Sequence, residues 1–288
     1  MAGFEINSIN KEKRIIKFQN ILPLFSLTFG LILLAGCGNS SPAAEPTATY
    51  TPEAATATPT PIPPTPAPTP VSEAVFNTPE EAITHYFEGI AQADPGHILE
   101  ACAIDEMGEQ FQFDGYVERV GYVLTPQSPA PADYPLYAEI NKMQLSAQML
   151  NRVKLLAYSL LSGEVMADGA PITLDPDRTT RFMTEVDPAR LAGLELKGIG
   201  LPDQAIMNSP TYQENAARLA GIYQADELTE RVALFSFEQN DYILGFTLLR
   251  YGESWKISDQ VSPLANTNSL GVPQETTTEA FEDMINGE

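Results

Sequence analysis

Arg231-Val232-Ala233-Leu234-Phe235-Ser236-Phe237, the run from Tyr242 to Tyr251, and Ser254-Trp255-Lys256-Ile257-Ser258-Asp259-Gln260-Val261 decide the fold. Each run is rich in β-branched and aromatic residues, and short polar turns part them, Gln239-Asn240-Asp241 and Gly252-Glu253. In the second run Tyr242, Leu244, Phe246 and Leu248 share one face. In the third, Trp255, Ile257 and Val261 face one way while Lys256, Ser258 and Gln260 face the other. Such alternation predicts an antiparallel meander with one face on a core and one in water.

Upstream the period changes from two to 3.6. Thr78-Pro79-Glu80-Glu81 supplies a capping residue, a proline at the first helical position and a glutamate three residues after the cap. Ala82, Ile83, Tyr86, Phe87, Ile90 and Ala91 recur behind it at helical spacing. Asp94-Pro95-Gly96 ends that helix, and His97 to Ala103 reads as a second, short one. Residues 111–124 suit either helix or strand, and 125–135 form a proline-rich loop. A long helix is expected over 139–161 with Met143, Ala147, Leu150, Val153, Ala157, Leu160 and Leu161 as its core stripe. Lys142, Gln144, Gln148, Arg152 and Lys154 interrupt it too often for a membrane span. Leu194 to Lys197 alternates as a strand, and a helix starting at Thr211, with Glu214 in a capping box, precedes the meander. Helices first and a meander last give an α+β class: helices packed on a curved antiparallel sheet, with a helical insertion over about 104–190 in a domain spanning 73–263. Residues 264–288 read as an acidic flexible tail from which Phe281, Met284 and Ile285 can dock as one turn.

The amino terminus reads differently. Lys11, Lys13, Arg14 and Lys17 precede a short apolar stretch, Ile21 to Leu34, followed by Leu34-Ala35-Gly36-Cys37. The 14 residues of this stretch fall short of the ~20 that span a bilayer, and the order matches an export signal. The last four residues resemble the lipobox of bacterial lipoproteins. That resemblance implies cleavage before Cys37, a diacylglyceryl group with chains such as palmitate on its sulfur, and a place outside the cytoplasm on the cell membrane or outer membrane. Each buried methylene adds ~0.8 kcal/mol, so two or more chains hold firmly. Residues 37–72 form the tether. Ten prolines and eight threonines in residues 40–70 exclude helix and sheet and favour extended polyproline II. At ~3.1 Å per residue it holds the domain roughly 50–100 Å from the lipid, with glycosylation of the threonines and a proline-binding partner as further uses.

The net charge of −22 counts against a nucleic-acid partner, since phosphate binding needs a basic patch, and against docking on anionic lipid. It suits a self-repelling soluble surface, or an acidic site for a basic partner. With Cys37 assigned to lipid, Cys102 stands alone in an apolar run, as a small buried hydrophobe does. A catalytic thiol needs a histidine partner, and neither His85 nor His97 forms a motif with it.

Thr78-Pro79-Glu80-Glu81-Ala82 with Tyr86-Phe87 and Ala93-Asp94, and the closing runs Phe246 to Gly252 and Ser254 to Ile257, resemble the nuclear-transport-factor-2-like (cystatin-like roll) superfamily. The resemblance spans about 75–103 and 190–262. It implies a pocket between helices and concave sheet, lined here by Tyr86, Phe87, Phe246 and Trp255, with His85 and Asp259 as the catalytic candidates; some members are isomerases or dehydratases. Asp259 is placed on the apolar face of its strand, where burial raises a carboxylate's pKa and suits it to act as a base. Its plainer reading is a strand-end carboxylate meeting water or a backbone donor. Asp175-Pro176-Asp177 lacks the further oxygens of a calcium loop, and phosphate loops, nucleophile elbows, zinc-ligand pairs and dinucleotide fingerprints are absent from the sequence. No cofactor or metal is therefore expected. The leading expectation is a membrane-anchored, non-enzymatic domain that binds a small molecule or an envelope protein. The alternatives are an isomerase- or dehydratase-like enzyme using the cone pocket, or an accessory subunit of a membrane complex docked through the long helix.

Overall fold

The structure, a computed structural model, describes residues 74–162, 164, 169 and 171–287. The export signal, Cys37 and the tether lie outside the described residues. No helix among those described is long and apolar enough to cross a membrane.

Helix α1 (Pro79–Ala91) starts where the sequence predicts: the Thr78 hydroxyl accepts from the Glu81 amide at 3.1 Å, and the Glu81 carboxylate accepts from the Asn77 amide at 2.7 Å. α2 (Pro95–Glu100) starts two residues earlier than expected, because Asp94 caps it and Pro95 fits its first position. α3 (Ile104–Glu109), α4 (Phe113–Arg119), α5 (Pro135–Ser162), α6 (Pro176–Glu185) and a 3-10 turn (Pro188–Gly193) follow, with no strand among the described residues from 104 to 193. Strand β1 (Glu195–Gly200) follows, then α7 (Gln204–Met207) and α8 (Pro210–Ile222). The cap of α8 is Ser209, whose hydroxyl accepts from the Tyr212 amide; Pro210 takes the first helical position and displaces the expected start at Thr211.

The meander is β2 (Glu227–Phe237), β3 (Asn240–Tyr251) and β4 (Ser254–Asp259), antiparallel in the order β1-β2-β3-β4. Phe237 pairs with Asn240, so the first turn is the two residues Glu238-Gln239, with Glu238 at φ 56°. Gly252 at φ 61° makes the second turn possible. A further strand, β5 (Gln274–Thr276), pairs with residues 241–243 of β3, on the part of its edge that β4 leaves free.

Three expectations are corrected. The segment 264–287 is no flexible tail: after β5 it forms α9 (Thr278–Asn286), which buries Phe281 against Val232, Leu234 and Ile243. The sheet's second face is apolar at those three residues and needs a cover, and α9 supplies it. The supposed wet side of β4 is buried as well. Lys256 is 4% exposed, because residues 101–103 and Phe76 bond along the outer edge and its ammonium donates to the Glu100 carbonyl, and Gln260 is 0% exposed. Third, only the later part of the expected α5 stripe is core: Val153, Ala157, Leu160 and Leu161 pack there together with Met149 and Leu156, while Met143 is 71% exposed and Ala147 faces solvent. The helix starts at Pro135, four residues earlier than expected, and its first two turns run past the sheet. Its later turns join α1 and the inner sheet face in one core, so the helical segment is built into the domain.

Candidate functional site

The expected pocket is full. Tyr86 and Phe246 are 0% exposed, Phe87 3% and Trp255 9%, and all four belong to one core cluster rather than lining a cavity. Tyr86 meets Phe246 edge-on at 5.6 Å, and Phe87 lies 5.3 Å from Phe235 and 6.0 Å from Phe246. Rings alternating on α1 and β3 at their respective periods interdigitate and leave no room for a substrate.

Asp259 is not on that apolar face. Thr247 pairs with Asp259 while Leu248 pairs with Ile257, so Ser258 is an extra residue in the ladder. The bulge breaks the alternation, and Gln260, read from sequence as solvent-facing, turns inward. It accepts from the Tyr86 hydroxyl at 2.5 Å and donates to the Gly271 carbonyl at 2.5 Å. Burial raises the Tyr86 pKa well above its usual value, so the phenol stays a donor. Asp259 is held by Arg152 of α5. Nη2 donates to Oδ2 at 3.0 Å, and Nε lies 2.7 Å from Oδ1 as an ion contact without hydrogen-bond alignment. Burial pushes the Asp259 carboxyl up, against the opposing pull of Arg152 and of the Gln260 amide bonded to Oδ1 at 2.8 Å. The carboxylate expected to act as a base thus ties the long helix to the last strand. Cys102 is buried and free, its Sγ donating to the Ile98 carbonyl, and burial pushes its thiol up, away from thiolate character. Asp175 caps α6 by accepting from the Arg178 amide at 2.8 Å.

His85 sits elsewhere, in a cluster the sequence reading missed. The chain has two histidines, and their rings stack at 3.8 Å with planes 19° apart. Both open a His-x-x-Glu step on a helix, His85 to Glu88 on α1 and His97 to Glu100 on α2. The carboxylates pair crosswise: His85 Nε2 lies 3.1 Å from Glu100 Oε2, and His97 Nε2 lies 3.9 Å from Glu88 Oε2. His97 Nε2 has no hydrogen-bond partner although it is shielded from solvent. Phe76 backs the His85 ring at 4.9 Å. Local sequence creates the crossing. Ala93 at φ 52° and the Asp94 cap reverse the chain, and Gly89 lets α2 lie directly on α1. A Cβ on Gly89 would come within 2.7 Å of the Ile98 amide nitrogen and 2.8 Å of its side chain. The signal available in the sequence was the repeated His-x-x-Glu; the glycine contact that joins the two copies has no one-dimensional trace.

A second feature is on the outside. Tyr122, Val123, Leu124, Leu136, Ile140 and Met143 are exposed. Asn141 clamps the loop before α5 onto the helix by bonding both the amide and the carbonyl of Ala130, at 2.9 and 2.8 Å. Leu136, Ile140 and Met143 fall at i, i+4 and i+7, one stripe of α5 turned to solvent.

No family model matches this sequence, and no curated protein matches it. Among solved structures, a cystatin-like protein from Ruminococcus gnavus is similar at 20% identity and a TM-score of 0.49, over 69% of this chain and 44% of that one. The matched part spans less than half of that neighbour.

Proposed function

We propose that this chain is a lipid-anchored extracytoplasmic protein whose α+β domain, of the nuclear-transport-factor-2-like kind, binds a partner protein rather than converting a small molecule. The anchoring rests on the order of basic segment, apolar stretch and Leu34-Ala35-Gly36-Cys37. The observation that carries the binding reading is the contrast between a space filled by Tyr86, Phe87, Phe246 and Trp255 and an apolar stripe left in water on α5. Exposed apolar stripes of this kind serve association. The partner is a protein whose apolar docking face carries a basic rim, because residues 74–288 hold 12 basic against 33 acidic side chains, a net −21. The same charge disfavours an anionic bilayer as occupant.

The test has two arms. Mass spectrometry of the amino-terminal peptide finds an acylated Cys37 in the membrane fraction of cells making the full chain, and Cys37→Ser abolishes both acyl group and membrane retention. Photo-crosslinking groups at Leu136 and Met143 yield a discrete heteromeric adduct that a group at exposed Arg181 does not, and added salt weakens it. Adducts with lipid, adducts with a second copy of the chain, or equal labelling from Arg181 overturn the docking reading. An unmodified Cys37 overturns the anchoring.

A further inference from the structure

We infer that His85, Glu88 and His97, with Glu100 beside them, form a binding site for one divalent transition-metal ion of the zinc type. Ligating atoms of the first three side chains lie within 4.8 Å of one another. Two imidazoles and a carboxylate are the donor set zinc takes when a fourth position remains for water or another ligand, and nickel and copper accept it too. Zinc-to-nitrogen bonds of ~2.0–2.1 Å at a tetrahedral angle need donor atoms ~3.3 Å apart. Drawing these atoms in by up to about 1.5 Å calls for side-chain rotations, for which Glu88, 58% exposed, has room, while Glu100, 45% exposed, stays bonded to His85. The exposure also gives an ion an entry path.

Two features stand independently of ligand counting. His97 Nε2 is shielded and unpartnered, an arrangement that leaves a buried polar atom unsatisfied. An ion bound at this nitrogen satisfies it, while Glu88 at 3.9 Å is too far to accept from it. Second, the chain's only two histidines are held together by backbone geometry, through Gly89 and the Asp94 cap, and not by a bond between their rings. The crossing fixes the two helices that carry the imidazoles, so binding orders only the turn of the stacked rings about their side-chain bonds. Phe76 behind His85 and the helix faces beneath keep one side of the site dry, and Glu100, bonded to His85, fixes that ring's orientation as carboxylates do behind metal-bound histidines.

His85, Glu88 and His97 share no side chain with the apolar stripe of α5, and zinc binding is read on the isolated chain, so the test of the site is independent of the docking reading. The full chain in detergent, stripped with a chelator, is titrated with zinc alone by calorimetry and with cobalt by visible absorption. The expected result is one equivalent bound, with visible bands of four-coordinate cobalt and shifts of both imidazoles in nitrogen-correlated NMR. His85→Gln and His97→Gln each weaken binding at least about tenfold, and Glu88→Gln weakens it less. Zinc raises the melting temperature of the parent chain and not that of the double histidine variant. A double variant that keeps its circular dichroism and still binds zinc with parent affinity overturns the site, since the binding then belongs to the acidic surface. Absence of a stoichiometric step in the parent chain overturns it equally. Gly89→Val supplies a second check: it leaves all four side chains present but drives α2 off α1, and it lowers affinity as the histidine changes do.

Discussion

The space between α1 and the sheet and the outward stripe at the start of α5 are both rich in large apolar residues, yet their fates are opposite. Tyr86, Phe246 and Leu248 lose all contact with water, whereas Leu136 and Met143 stay 68% and 71% exposed. The difference comes from position along α5. Its turns from Met149 onward lie over the sheet, and its first turns extend past it. The interior between α1 and the sheet is thus spent on packing, and the exposed apolar residues lie outside it.

Substitutions in the two regions separate these roles. Phe246→Ala opens a cavity at the centre of the core and lowers stability by about 4 kcal/mol in a urea titration. A loss under about 1 kcal/mol would mean the cone is loose enough to hold a ligand. Phe281→Ala lowers stability by about 3 kcal/mol, because the aromatic ring covers Val232, Leu234 and Ile243; a neutral effect would return residues 264–288 to a flexible tail. Arg152→Gln removes the counter-charge of Asp259 and lowers stability by about 2 kcal/mol at neutral pH. The sign of its pH dependence follows from burial, which holds the Asp259 carboxyl above its usual value. A raised folded-state pKa gives stability that is present at low pH and lost as the pH rises through that value. Losing Arg152 lifts the value further, so the deficit of the variant shrinks on acidification; a deficit that does not change with pH would place the carboxylate in water, uncoupled from Arg152. Leu136→Ser with Met143→Ser changes stability by less than about 0.5 kcal/mol but removes the crosslinked adduct.

The sequence carried the meander almost completely, since β2, β3 and β4 announce themselves by period two and by Gly252. The start of α1 was legible because its cap, proline and glutamate are contiguous. What escaped depends on contacts between distant segments. One extra residue, Ser258, reverses the side on which Gln260 falls, and nothing local marks it. In α5 the expected stripe holds from Val153 to Leu161 but not at Met143 and Ala147, because the first turns carry apolar residues on an exposed face as well. In 264–288 the docking of Phe281, Met284 and Ile285 was legible, but the acidic composition hid that the whole segment is ordered around it. For the candidate sites, Tyr86, Phe87, Phe246 and Trp255 were expected to line a pocket and instead fill it, and His85 was singled out without its partner across Gly89.

The chain has a single tryptophan, Trp255, on the inner sheet face, which makes the contrast directly measurable by acrylamide quenching. Trp255 should emit as a buried indole and resist the quencher, while a tryptophan placed at Leu136 in a Trp255→Phe background is quenched almost as readily as the free amino acid. Ready quenching of Trp255, or a protected tryptophan at 136 in the isolated chain, would contradict a filled interior with its recognition face outside.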